Sequence, residues 1–166
     1  MSQLGRKWSL WYHGNNNIWE DDSYHHISSI ETIESFWKIM TNLKSYYLQN
    51  GWFFLMLDGI FPSWEKNPEG GSWSFRIGKK DVQRAWNEIT IYLVSENLTN
   101  SLSNNKKIIG ISISPKKTFS IIKIWIEKDN QKDSIELFKN MKYFKLEDAI
   151  YRPHHDNLLR EKTSDE

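Results

Sequence analysis

The chain has 166 residues, with 22 Lys and Arg against 21 Asp and Glu for a formal net charge of +1. That length suits one domain burying roughly two-thirds of its unfolded surface, and 39% hydrophobic with 26% charged residues excludes a disordered chain. So balanced a charge excludes nonspecific gripping of a long phosphate backbone and leaves room for a partner with few phosphates, while the absence of cysteine excludes disulfides, thiolate metal sites and a cysteine nucleophile.

Residues 1–7 lead into Trp8 without an apolar signal region, which points to a cytoplasmic protein. Trp8 to His13 alternates as a strand does, Asn15 to Asn17 reads as a turn, and residues 25–30 form a second candidate strand. From Thr32, Ile33, Phe36, Trp37, Met40, Leu43 and Tyr47 recur at helical spacing. Trp52 to Leu57 is the longest apolar run, strand-sized and far short of the ~20 residues of a membrane helix. A Gly- and Pro-containing loop, 58–71, precedes a strand at 73–77 and a helix at 81–96 that aligns Val82, Ala85, Trp86, Ile89 and Leu93. Strands follow at 108–114 and 119–126 around Pro115-Lys116-Lys117, then a helix at 131–145 with Ile135, Phe138 and Met141 together, and a short strand at 149–152. Residues 8–156 read as a single domain, with flexible tails at 1–7 and 157–166. The mixture predicts an α+β fold: a mostly antiparallel sheet with three helices on one face and the other free for a ligand.

Nineteen Ile against two Val, seventeen Lys against five Arg, and fourteen Asn fit A+T-rich coding, so Lys and Asn abundance is background. The nine Trp have no such source; most belong in a core, and some are candidates for stacking surfaces. No phosphate-binding glycine loop, nucleophile elbow or metalloprotease helix motif occurs. His25-His26 and His154-His155 are adjacent pairs, whose members point to opposite faces of a strand, so no shared metal is expected. Trp64-Glu65 places an aromatic plane beside a carboxylate, able to stack on a base and accept two hydrogen bonds from its edge; taken alone it fits a packed loop as well. Five Lys stand between 106 and 127 against Glu127 alone, while residues 18–37 hold five acids and no Lys or Arg. Each cluster is either a solvated face or one end of a bipolar surface.

In order, Trp8-Ser-Leu-Trp11, Trp19, Glu31-Thr-Ile-Glu-Ser-Phe-Trp37, Asp58-Gly-Ile-x-Pro-x-Trp64-Glu65, Gly-Gly-x-Trp73, Ala85-Trp86, Gly110-Ile-Ser-Ile-Ser and Lys123-Ile-Trp125 resemble the eukaryotic translation initiation factor 4E family, the mRNA cap-binding proteins. The resemblance spans about residues 8–156, and Trp52 is the one Trp outside family positions. It implies a curved sheet holding 7-methylguanosine on its concave face in a monomer that is not an enzyme and uses no cofactor or metal. Trp64 and Trp19 would sandwich the cationic base, Glu65 would read its edge, and Trp125 would lie against the methyl group. Lys116, Lys117 and Lys123 would hold the triphosphate. On the convex side, Ile33, Trp37, Glu88 and Ile91 would take a helical motif from an initiation factor 4G-type scaffold or a repressor.

Several positions depart from that pattern. The segment 19–27 is one residue longer, so Tyr24 is an alternative to Trp19 as second plate, and Glu20, Asp21 and Asp22 make it acidic. A family phosphate contact falls at Ile121, with Lys123 on the same face, and a scaffold-binding Leu is Asn87. Arg152, His154 and His155 fall where the family approaches the second nucleotide. The composition and these changes fit a divergent organism or a large DNA virus. The function expected is a cap-binding translation initiation factor, the alternatives being a cap-binding repressor and a nucleotide-hydrolysing enzyme.

Overall fold

The computed structural model describes residues 2–131 and 141–164. Seven strands, β1 (Gln3–Gly14), β2 (Tyr24–Thr32), β3 (Gly51–Leu57), β4 (Gly71–Gly78), β5 (Ile108–Pro115), β6 (Phe119–Ile126) and β7 (Ile150–Pro153), form one antiparallel sheet. Their order is β2-β1-β3-β5-β6-β4-β7. Register shifts between Leu10 and Trp11 and between Ile108 and Gly110 curve the sheet, as extra residues in one strand do. Among the described residues the α-helices are α1 (Ile33–Met40), α2 (Ser45–Leu48), α3 (Val82–Val94), α4 (Leu102–Asn105) and α5 (His154–Ser164).

The side-chain period of two divides the sheet. Trp8, Leu10, Phe53, Leu55, Ile111, Ile113, Ile122 and Ile124 enter the main core with Phe36 and Met40 of α1 and Val82, Ala85, Trp86, Ile89 and Leu93 of α3. The α+β expectation is met, with α1 and α3 against one face. Thr32 opens α1: its hydroxyl accepts from Ser35 N at 3.0 Å and the Ser35 hydroxyl accepts from Thr32 N at 3.0 Å, a reciprocal cap.

The helix expected to continue to Tyr47 stops at Met40. Thr41 Oγ1 donates to Trp37 O and Asn42 Nδ2 to Lys38 O, both at 2.7 Å, so side chains compete for the carbonyls that the next turn would use. Of the helix expected at 131–145, residues 132–140 lie outside the described residues; residues 141–145 are not helical, although Met141 is buried. Regular structure also runs beyond 8–156 at both ends. Gln3 pairs opposite Thr32, Arg6 Nη1 donates to Asn105 O and Ile108 O, and α5 extends to Ser164.

Candidate functional site

The face turned away from α1 and α3 is built from the alternate residues of the same strands. Two cross-strand rows traverse it: Ser9, Met56, Gly110, Trp125, Ser72, Arg152 and, beside it, Trp11, Phe54, Ser112, Lys123, Ser74, Ile150. A second, smaller apolar cluster forms here from Phe54, Met56, Ile109 and Trp125, with Trp11, Tyr24, Trp52, Ile60 and Trp64 packed against it. Tyr24, Trp52, Phe54, Trp64 and Trp125 line a cavity of about 240 Å³ with Trp19, Pro62, Ser63, Glu65, Ser112 and Lys123.

Trp19 comes from the loop joining β1 to β2. Its ring stacks on His13 at 3.7 Å and 12°, so one face is backed, and it meets Trp52 at 4.8 Å and 78°. The His13 ring is fully buried, its nitrogens 2.6 Å from the carbonyl oxygens of Gly14 and Ile18. Trp19 itself stays 42% exposed. Tyr24 also lines the cavity, but meets His13, Trp19, Phe54 and Phe61 in tilted or edge contacts; it packs the base of the wall.

Residues 58–70 carry Trp64 and Glu65 on the opposing loop. Gly59, at φ +89°, makes the turn out of β3 in a conformation that glycine adopts without strain. Asn67 then organises the loop. Its amide donates to Phe61 O at 2.6 Å and Ser63 O at 2.8 Å, and its backbone N–H to Trp64 O at 3.0 Å. Its own carbonyl accepts from His154 Nδ1 at 2.8 Å. His154 N–H donates to Gly70 O at 2.9 Å, and a Cβ on Gly70 would stand 2.5 Å from Ile126 O, so this close crossing requires glycine. An exposed Lys66–Asp21 pair at 3.5 Å joins the two loops.

Trp125 forms the floor, 2% exposed, with its indole N–H donating to Ser112 Oγ at 3.0 Å. Two ammonium groups lie over aromatic rings here: Lys123 Nζ is 4.9 Å from the Trp64 centroid and Lys116 Nζ 5.0 Å from that of Trp52. Desolvation lowers the Lys123 pKa to about 8, helped by repulsion from Lys116 and Arg152. Burial likewise lowers His154 to about 4. Its Nδ1 must carry the proton donated to Asn67 O, which leaves Nε2 buried without a partner.

The structure thus brings together Trp19, Tyr24, Trp64, Glu65, Trp125, Lys116 and Lys123. Lys117 and His155 are exposed and line neither this cavity nor the one beside it. His154, expected among nucleotide contacts, is fully buried and offers no surface; it anchors the Trp64 loop instead. Trp52 and His13 are the residues that sequence reading missed. In an all-apolar strand, alternation does not show which face Trp52 takes, and nothing local ties His13 to Trp19. On the helical side Ile33, Trp37 and Ile91 are exposed, whereas the Glu88 carboxylate accepts from the backbone N–H groups of Lys142 at 2.9 Å and Tyr143 at 3.2 Å. Among the described residues no group of three or more His, Asp or Glu is placed to hold a metal ion.

Comparison with known proteins is consistent with this layout. The family model described as eukaryotic initiation factor 4E matches residues 3–166. Eukaryotic translation initiation factor 4E1 of Drosophila melanogaster is 26% identical over 93% of this chain and 63% of its own, so the chain spans less than two-thirds of that relative. Eukaryotic translation initiation factor NCBP of Arabidopsis thaliana is 28% identical over 97% of this chain and 76% of its own. Among solved structures, C. elegans eIF4E-3 in complex with the 4E-binding protein Mextli and a cap analog superposes with a TM-score of 0.77 at 20% identity, covering 95% of both chains. Schistosome eIF4E complexed with m7GpppG and 4E-BP gives 0.72 at 21% identity, over 80% of this chain and 76% of that one. These share the fold.

Proposed function

Because the chain belongs to the eukaryotic initiation factor 4E family, we propose that its aromatic slot binds the 7-methylguanosine cap of mRNA and that the protein serves as a cytoplasmic translation initiation factor. The observation that carries this reading is one cavity lined by Trp19, Trp64, Trp125 and Glu65 with Lys123 at its side. In it, the face of Trp19 that His13 does not back and the plane of Trp64 take the two sides of the base. N7 methylation makes that base cationic, and aromatic faces attract a cation where they would only stack on the unmethylated form. The exposed Glu65 carboxylate accepts the two edge N–H groups of guanine, a charge-assisted pair. Trp125 meets the methyl group. Lys123 and Lys116 leave their rings for the triphosphate, joined by Lys117 from the hairpin. This is the work of a binding module, as in the rest of the family, and not of an enzyme.

Titration of tryptophan fluorescence with 7-methyl-GTP and GTP tests the reading. Quenching is expected with the methylated nucleotide alone, weakened at least ~10-fold in Trp64→Ala and Glu65→Ala, the scale of a lost charge-assisted interaction. Equal quenching by both nucleotides, or none, would overturn it.

On the convex side, Ile33, Trp37 and Ile91 would anchor a helical peptide from an initiation factor 4G-type scaffold or a repressor. A second reading, a cap-binding repressor that does not recruit the scaffold, is favoured by the Asn87 amide, bonded to Gln83 at 3.1 Å, and by the backbone engagement of Glu88. Calorimetry with a scaffold-motif peptide separates the two: tight binding that is lost in Trp37→Ala would sink the repressor reading.

A further inference from the structure

The ring behind Trp19 is a histidine, and its surroundings bear on its charge as well as its place. His13 is fully buried and lies nearly parallel to Trp19, 3.7 Å away at 12°. Nδ1 is 2.6 Å from Gly14 O, while Nε2 is 2.6 Å from Ile18 O and 2.9 Å from Ser23 Oγ. Ser23 is already committed: its hydroxyl donates to Glu20 O at 2.7 Å and accepts from Glu20 N at 3.0 Å. Carbonyl oxygens only accept, and a neutral imidazole has a single N–H. Either neutral tautomer therefore turns a nitrogen lone pair onto a carbonyl oxygen 2.6 Å away. A proton on each nitrogen converts both contacts into charge-assisted hydrogen bonds, the short class.

Among the described residues no carboxylate lies within 4.0 Å of this ring. From β2 the Tyr24 phenol ring meets it at 5.1 Å. From β3, Trp52 stands opposite in register, with Lys116 Nζ 5.0 Å over that indole. The loop itself carries Glu20, Asp21 and Asp22, of which Asp21 pairs with Lys66 at 3.5 Å. The face of Trp19 is thus the surface closest to an imidazolium at this position, in cation–π geometry.

We propose that His13 is a specificity-determining residue that acts through Trp19: as an imidazolium it holds one face of the indole and weakens the attraction of the other face for a methylated, cationic base. The inference rests on the cap reading of the slot. With the methylated base bound, Trp19 separates two cations, and like charges two stacking distances apart repel in a partly desolvated site. The unmethylated base carries no such charge and does not feel this penalty. Histidine changes charge near neutral pH, so loss of one proton restores the full cation–π attraction. Preference for the methylated base should therefore rise with pH, and binding of that base should expel the proton by linkage.

The test measures tryptophan fluorescence with 7-methyl-GTP and GTP at about pH 6 and about pH 7.5. It uses the full chain and His13→Phe, which keeps a flat ring behind Trp19 without the charge. The ratio of the two affinities cancels the shared triphosphate, and Lys123 and His154 are common to both proteins. At the lower pH the ratio is expected to be at least ~3-fold higher in His13→Phe than in the wild-type chain, and at the higher pH the two should converge. Nitrogen NMR of the wild-type histidine supplies a readout that a purely structural role would not move. It should show two ring N–H groups at the lower pH, one of them lost with 7-methyl-GTP and both kept with GTP. If His13→Phe does not fold, this spectrum decides alone. Equal ratios in the two proteins at both pH values, or a singly protonated ring at the lower pH, overturn this inference alone. Failure of 7-methyl-GTP to bind the wild-type chain overturns the slot reading and this inference with it.

Discussion

On the helix-packed face of the sheet, Trp8, Leu10, Phe53, Leu55, Ile111 and Ile124 join one core with α3. The residues between them on the same strands, among them Trp52, Phe54, Ser112 and Lys123, line the slot. The first set is apolar and sealed, and its contacts contribute stability. The second holds aromatic rings whose neighbours cover one face or edge, beside an ammonium group in partly desolvated surroundings. An aromatic ring therefore has two different meanings in this sheet. Trp86 is fully buried; Trp19 is backed on one side by His13 and 42% exposed. Where a surface is left incompletely satisfied by its own chain, a ligand can complete it.

The largest effects should separate these two tryptophans. Trp86→Ala is expected to cost ~3–5 kcal/mol in urea unfolding, as deletion of a buried indole does. Trp19→Ala should change stability by less than ~1 kcal/mol while removing most of the affinity for 7-methyl-GTP. Similar stability losses in the two variants would break the comparison.

His154 sharpens it at the edge of the slot. Its folded pKa of about 4 lies below the unfolded 6.5, so between these values the unfolded chain binds more protons. Stability should fall as pH drops from 6.5 toward 4, by on the order of 3 kcal/mol in total. His154→Asn, which can still donate to the Asn67 carbonyl, should flatten that fall; an unchanged acid profile would contradict the role given to this ring.

A smaller effect concerns Lys123. With its pKa lowered to about 8, the side chain must be protonated to hold phosphate. Affinity for 7-methyl-GTP should decline as pH rises through 8, and more steeply than in Lys123→Met. Parallel pH profiles for the two proteins would place Lys123 away from the phosphates.

Much of this architecture was legible in the chain itself. Apolar spacing located β3, β6 and α3, and the ordered Trp positions with Trp64-Glu65 were specific enough to indicate the family and most of the slot. Local pattern failed where a competing interaction had no signature at that range. Thr41 and Asn42 end α1 by capping carbonyls behind them, inside an apolar repeat that continues to Tyr47. Residues 3–7 read as a polar tail because Arg6 finds its acceptors at Asn105 and Ile108, a hundred residues away.

What the sequence by itself determined is therefore which residues can stack, pair and carry charge, because those properties belong to the side chains and their order. The tertiary structure alone decided which surfaces they share. Strand register put Trp52 in the slot with Phe54, and long-range contacts buried His154 beneath the Trp64 loop and set His13 behind Trp19. Each of these depends on the pairing of segments distant in the chain, which local composition and periodicity do not encode.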